Sequence, residues 1–302
     1  VLTAPAASVL VATYYAARLP QAQGPHDLGG IRQQWLAMLK LGIPLMAAGL
    51  LMLTTQLAVR SIVLRDLGLE ASGYFQAAWA ISVTYVGLVL NALVMDYFPR
   101  LTTAIGDHDR AKVLVNEQAE MTLLVAGPIL MAMITLAPWV IHLLYAKSFS
   151  PAADILRWQV LGDLFKIASV PAAFIFVAAG HGGVAIGIQI LWSAAYLGVL
   201  ALGISEFGLV MAGVGFGIAY LIYYVVVAFG ANRLIGYKPT HRNSFLTLLL
   251  FVAGSIVMIL SAWSVTTSYA AGLVATLLVS IYSIRRLDNL LDLTGWLRLK
   301  FL

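Results

Sequence analysis

An ionisable side chain inside a membrane-length apolar run is costly unless it faces a partner or a cavity, so each one marks candidate chemistry. Residues 155–178 hold the densest group. Gln159, Asp163 and Lys166 fall within about 60° of one another at 100° per residue, a single polar stripe with Lys166 near mid-run. Two readings stand side by side. The stripe is either an i, i+3 pair that neutralises itself, or a cavity-lining cation held by its neighbour, because a bundle interior must be wet or occupied to keep both groups charged. Arg60 lies about 10 Å outward of the middle of its own run, with Gln56 one turn below on the same face. It either snorkels to the interface or binds an anion. A guanidinium pairs two oxygens at once and an ammonium acts as a point charge, so Arg60 and Lys166 together would suit a pyrophosphate.

The uncharged polar residues Gln76, Thr84 and Asn91 share about 80° of one helical face, a pattern suited to a hydroxyl-rich ligand such as a sugar. Hydrogen bonds between helices would explain them equally well. Asp96 and Arg100 flank Tyr97, Phe98 and Pro99, where a proline stops or kinks a helix and aromatics belong to the interface, so this segment is a gate or an anchor. Glu117 and Glu120 open the following run three residues apart. They are either a solvated helix start that complements the dipole or a proton-coupling pair. The five histidines form no i, i+4 pair, so no metal site is expected, and His142 reads as interfacial. Gly213, Gly215 and Gly217 mark close helix packing or a flexible point. No catalytic signature or phosphate loop occurs, no connection is long enough for a nucleotide-binding domain, and no cofactor is expected.

The elements that must position these residues are membrane spans. Of the 302 residues 61% are hydrophobic and 10% charged, with a mean hydropathy of +0.92, too few polar groups for a water-facing surface. Soluble enzyme classes are excluded on that ground. Cysteine is absent, which removes disulfides, thiolate nucleophiles and sulfur-ligated metals. Nine apolar runs are long enough to cross a bilayer: 1–19, 42–64, 72–95, 121–145, 155–178, 183–204, 209–229, 245–263 and 269–284. All but five of the 18 Lys and Arg (Arg60, Arg65, Lys147, Arg157 and Lys166) fall on one side of the alternating connections. That side is cytoplasmic, with the C-terminal tail on it, so the net charge of +5 speaks of topology rather than of nucleic acid. The first span then runs outside to inside directly from Val1, so an odd number of upstream spans is expected. Pro44, Pro128, Pro138 and Pro171, within or at the start of spans, fit helices that bend between states.

Two stretches carry a family resemblance. GYFQAAWAIS at 73–82 through YFPRL at 97–101, and LLYAKSF at 143–149 followed by ILRWQVLGDLFK at 155–166, resemble the O-antigen translocases, the lipid-linked oligosaccharide flippases of the multidrug/oligosaccharidyl-lipid/polysaccharide exporter superfamily. The likeness runs from about Gly42 to Lys238. It implies an all-α polytopic bundle of two six-helix lobes, some members adding two C-terminal helices, so that this chain reads as the C-terminal part of an N-terminally truncated 14-helix transporter. On that reading 1–19 closes the N-terminal lobe, 20–41 is a cytoplasmic linker, 42–236 is the C-terminal lobe, 244–287 holds two additional spans and 288–302 is a cytoplasmic tail. The resemblance further implies transport of undecaprenyl-pyrophosphate-linked oligosaccharide, an O-antigen or related unit, between leaflets of the bacterial inner membrane by alternating access. Polysaccharide polymerase machinery would be a partner. Three rivals remain at this point, a drug or cation antiporter of the same superfamily, a membrane glycan polymerase or glycosyltransferase, and a non-catalytic membrane assembly subunit, which an intramembrane Asp and Lys do not favour. Intramembrane cations argue against the first, and the short outward connections against the second.

Overall fold

The computed structural model describes residues 28–291 continuously, together with residues 9, 11, 13–15 and 18 before them. The expected span 1–19 lies mostly outside the described residues, as do 292–302 of the expected tail. Contacts divide the chain into two units, Val1–Lys40 and Leu41–Leu302. Residues 28–40 of the first unit, within the segment expected as a cytoplasmic linker, are helical. All that follows concerns the second.

Every regular element among the described residues is helical, as lipid requires of a backbone that must satisfy its own hydrogen bonds. The helices are α1 (Leu28–Ala104), α2 (His108–Leu144), α3 (Ala152–Ala178), α4 (Gly182–Phe207), α5 (Val210–Ile235), α6 (His241–Trp263) and α7 (Val265–Leu291). A short 3-10 turn, Lys147–Phe149, joins α2 to α3. Seven helices are long and apolar enough to cross a membrane, the first of them Gly42–Ala104. That helix contains a break at Gly68, whose φ of 89° lies where a Cβ is disfavoured. The chain reverses there. Before the break Pro44 packs on Gly182 at the start of α4, and after it Tyr97 returns to the same end, clustering with Ile188 of α4 and Ile235 of α5. The two arms of α1 are thus the separate spans expected at 42–64 and 72–95, and eight crossings follow from Gly42 onward.

The helices outrun the apolar segments that announce them. The expected cytoplasmic connection 96–120 is helical except at 105–107, because Asp107 caps α2 by accepting the backbone N–H groups of Asp109 and Arg110. The charged first turns simply extend into water, with Lys112 Nζ 2.6 Å from Asp109 Oδ1. Likewise α7 continues past 284 to Leu291.

Packing fixes the rest. Helices α3 and α5 meet at backbone distance: a Cβ on Gly213 would stand 2.6 Å from Trp158 Cβ, and one on Gly162 would stand 2.8 Å from Gly217 Cα. Packing is therefore the role of these glycines. Trp79 of α1, Trp192 and Tyr196 of α4, and Phe216 and Tyr220 of α5 form a buried aromatic cluster, with Phe216 and Tyr220 centroids 4.8 Å apart. Large apolar side chains cover the outside, including Trp139 and Trp263 near the C-terminal ends of α2 and α6, as a multi-pass membrane protein requires.

Candidate functional site

The polar stripe of α3 turns inward, between the second arm of α1 and α5. Gln159 and Asp163 are fully buried and Lys166 is 8% exposed. Asp163 uses its two oxygens differently. Ser82 of α1 donates to Oδ2 at 2.6 Å, whereas Oδ1 faces Lys166 Nζ at 3.5 Å, longer than a tight charged hydrogen bond. Lys166 also lies 5.5 Å from the centre of the Tyr220 ring, whose face favours a cation. Neither amide atom of Gln159 has a protein partner. The arrangement is a neutral pair in which the acid is anchored to a second helix and the cation is loosely held.

The other expected residues separate into bound and open ones. Arg60 sits on the exposed side of the first arm of α1, makes no hydrogen bond or ion pair among the described residues, and is not joined to α3; Gln56 is half-buried beside it. Thr84 and Asn91 are exposed and Gln76 half-buried, and none of the three bonds to another helix among the described residues. Asp96 and Arg100 pair with each other on the surface at 3.0 Å. Between them Tyr97 is buried and donates to Pro171 O at 2.8 Å, tying α1 to α3. Glu117 is exposed. Glu120 accepts from Arg286 Nε at 2.7 Å and Arg242 Nη1 at 3.1 Å, so it clamps α7 and α6 to α2.

Three partners escaped sequence reasoning. Ser82 lies within the resemblance but carries no charge to draw attention. Tyr220 belongs to a run too apolar to distinguish it. Arg157 reads as an outward flank by charge counting, yet it is buried and bonded to α2 and α6. Its position a full turn inside α3, rather than ahead of it, was the available signal.

Comparison with known proteins bears on the family and the fold. Residues 10–154 match the model of a polysaccharide biosynthesis protein family, a region that contains the resembling stretches 73–101 and 143–149 and stops just short of 155–166. No curated protein sequence matches. The solved structure of the lipid II flippase MurJ in its inward closed conformation is similar, with a TM-score of 0.61 and 15% identity over 84% of this chain. The chain spans 56% of the length of that protein. It therefore has the helical fold of a lipid flippase and, across its first half, the sequence pattern of polysaccharide biosynthesis proteins, in line with the lipid-linked oligosaccharide flippases it resembles.

Proposed function

We propose that the chain is the C-terminal part of a flippase that carries an undecaprenyl-pyrophosphate-linked oligosaccharide, an O-antigen or related unit, from the cytoplasmic to the periplasmic leaflet of a bacterial inner membrane by alternating access. The observation that carries the reading is the Lys166 ammonium, kept inside the bundle by a carboxylate that Ser82 holds on its other oxygen. A cation so placed lowers the penalty of bringing a pyrophosphate into low dielectric, and no soluble-protein role calls for it. Arg60, unpaired on α1, is the second anion ligand, with Gln56 beside it and Asp163 and Gln159 completing the α3 stripe. Gln76, Thr84 and Asn91 offer the sugar a polar face that no neighbouring helix uses among the described residues. The lipid tail stays in the bilayer. Asp96 and Arg100, with Glu117 and Glu120, lie where a cytoplasmic gate or coupling element would act, and the C-terminus is cytoplasmic. A polysaccharide polymerase would take the product. The polypeptide works as a carrier, without covalent chemistry of its own.

Complementation tests this. The full-length gene is expressed, together with its cognate glycan genes, in a bacterium lacking its O-antigen flippase. Surface polysaccharide and cytoplasm-facing lipid-linked precursor are then measured. Restored surface glycan with cleared precursor is expected. Protein present in the membrane beside undiminished precursor would overturn the proposal and favour an antiporter.

A further inference from the structure

Helix α2 contains two prolines, Pro128 and Pro138. A proline inside a helix has no N–H for the carbonyl four residues earlier, so Pro138 leaves Ile134 O without its helical donor. Arg157 of α3 supplies one, its Nε donating to Ile134 O at 3.2 Å. The same guanidinium donates from Nη1 to Ser261 Oγ of α6 at 3.2 Å and lies 3.3 Å from Asp154 Oδ1. One buried side chain thus joins three helices at the point where the α2 ladder is broken. Beyond the break α2 ends, and the 3-10 turn leans on the tip of the α1 hairpin. Tyr145 stacks on Phe149 with centroids 5.2 Å apart, and Phe149 meets Tyr74 edge-on at 5.4 Å, a short way past the Gly68 reversal.

We propose that Arg157 is a latch that fixes the setting of the Pro138 break, and that its release frees the outer end of α2 and the 145–149 strap to shift against α1. The chemistry requires arginine, because a planar fork serves two acceptors on different helices at once where an ammonium is a single point donor. The ion pair is open on one side, because the Asp154 side chain is 63% exposed against 10% for Arg157. The link from α3 through the strap to α1 gives the outward face a two-position element of the kind a carrier needs. Its bearing on transport rests on the flippase reading, but the latch itself does not depend on what is carried.

Hydrogen exchange of the full-length protein in lipid nanodiscs reads the latch directly. Arg157→Gln is expected to speed exchange by about tenfold or more in 135–151 and 258–263, leaving 182–235 at the parent rate. Pro138→Ala restores the missing N–H. In the Arg157→Gln background it is expected to return 135–144 toward the parent rate, while 258–263, whose tie to Arg157 is not restored, stays fast. Where Arg157→Gln does not accumulate in the membrane, Arg157→Lys is expected to show the same pattern at about threefold. Unchanged exchange in 135–151, a rise spread evenly over α1 to α7, or failure of Pro138→Ala to slow 135–144 would each overturn the latch.

Discussion

Lys166→Met removes the ammonium while keeping an unbranched side chain of similar length, and it isolates what the α3 pair contributes. At the observed 3.5 Å, two unit charges attract by about 5 kcal/mol at an effective dielectric of about 20. Desolvation of both ions offsets most of that, so the intact pair stands near break-even against an apolar replacement. Breaking it is different. The single substitution would leave Asp163 fully buried with the Ser82 hydroxyl as its remaining partner, a loss of about 3–5 kcal/mol. Asp163→Asn is expected to lose less, because Lys166 keeps an exposed edge and the Tyr220 ring. The double variant Asp163→Asn/Lys166→Met carries no buried charge at either position, and its stability is expected within about 1 kcal/mol of the parent. Unfolding in dodecyl sulfate, followed by tryptophan fluorescence, measures all four proteins. A single Lys166→Met variant as stable as the double would refute the energetic argument. The same double variant then separates structure from function: a stable protein that no longer clears lipid-linked precursor assigns the Asp163 and Lys166 pair to transport, whereas parent-level surface glycan removes both from the mechanism.

Four further outcomes follow from the same geometry. Gly213→Val places its side chain against Trp158 and the Ile155 carbonyl, so α3 and α5 separate; a loss of about 3 kcal/mol or more is expected, seen as reduced membrane accumulation and a lowered melting temperature. Glu120→Gln keeps an acceptor oxygen for Arg242 and Arg286 but removes its charge, and a loss of about 1 kcal/mol is expected, with faster hydrogen exchange at the start of α6 and the end of α7 but not in α4. Asn91→Trp fills the exposed polar face of α1 without touching the core, and it is expected to block precursor clearance while leaving the melting temperature within a degree or two of the parent, about 0.5 kcal/mol. The Asp109 carboxyl is held below the ordinary carboxylate range, chiefly by the hydrogen bond from Lys112 and then by its charge. A lowered folded value contributes stability above the unfolded value and loses it as pH falls through the folded one, so Lys112→Ala is expected to move the Asp109 titration upward in isotope-edited infrared spectra.

Much of this architecture is legible in the sequence because lipid imposes one rule on every span. Runs of apolar residues located all eight crossings from Gly42 onward, and even the reversal at Gly68 falls in the short charged break between two such runs. Helix ends were less legible. Hydropathy reports where lipid stops, while the helix stops where its capping groups are, so α2 begins at a cap provided by Asp107, well before the apolar run at 121. Helical periodicity also placed Gln159, Asp163 and Lys166 on one face, as found. It carries no information on the other side of a contact. Ser82, Tyr220, Ser261 and Ile134 O are partners chosen by tertiary packing, and a periodic pattern along one helix is silent about which residue of another helix comes opposite.

The polar residues from Gly42 onward divide by what surrounds them. Several polar groups at helix contacts hold helices together: Ser82 with Asp163 and Tyr97 with Pro171 O bind α1 to α3, Arg157 binds α3 to α2 and α6, and Glu120 binds α2 to α6 and α7. Those groups are spoken for, and each would be costly to leave without its partner. Among the polar groups with no such task, Arg60, Thr84 and Asn91 lie on the α1 hairpin, Arg60 on its first arm and the other two on its second. Exposed arginine and carboxamide are costly against hydrocarbon, so each either reaches the interface or stands beside water or a ligand. Lys166 belongs to neither group entirely. It is packed behind α1 and paired, but the pairing is long and its counter-ion is secured through α1 itself, so a shift of the hairpin that moved Ser82 would change the hold on Asp163 and with it the charge that Lys166 can offer to an anion.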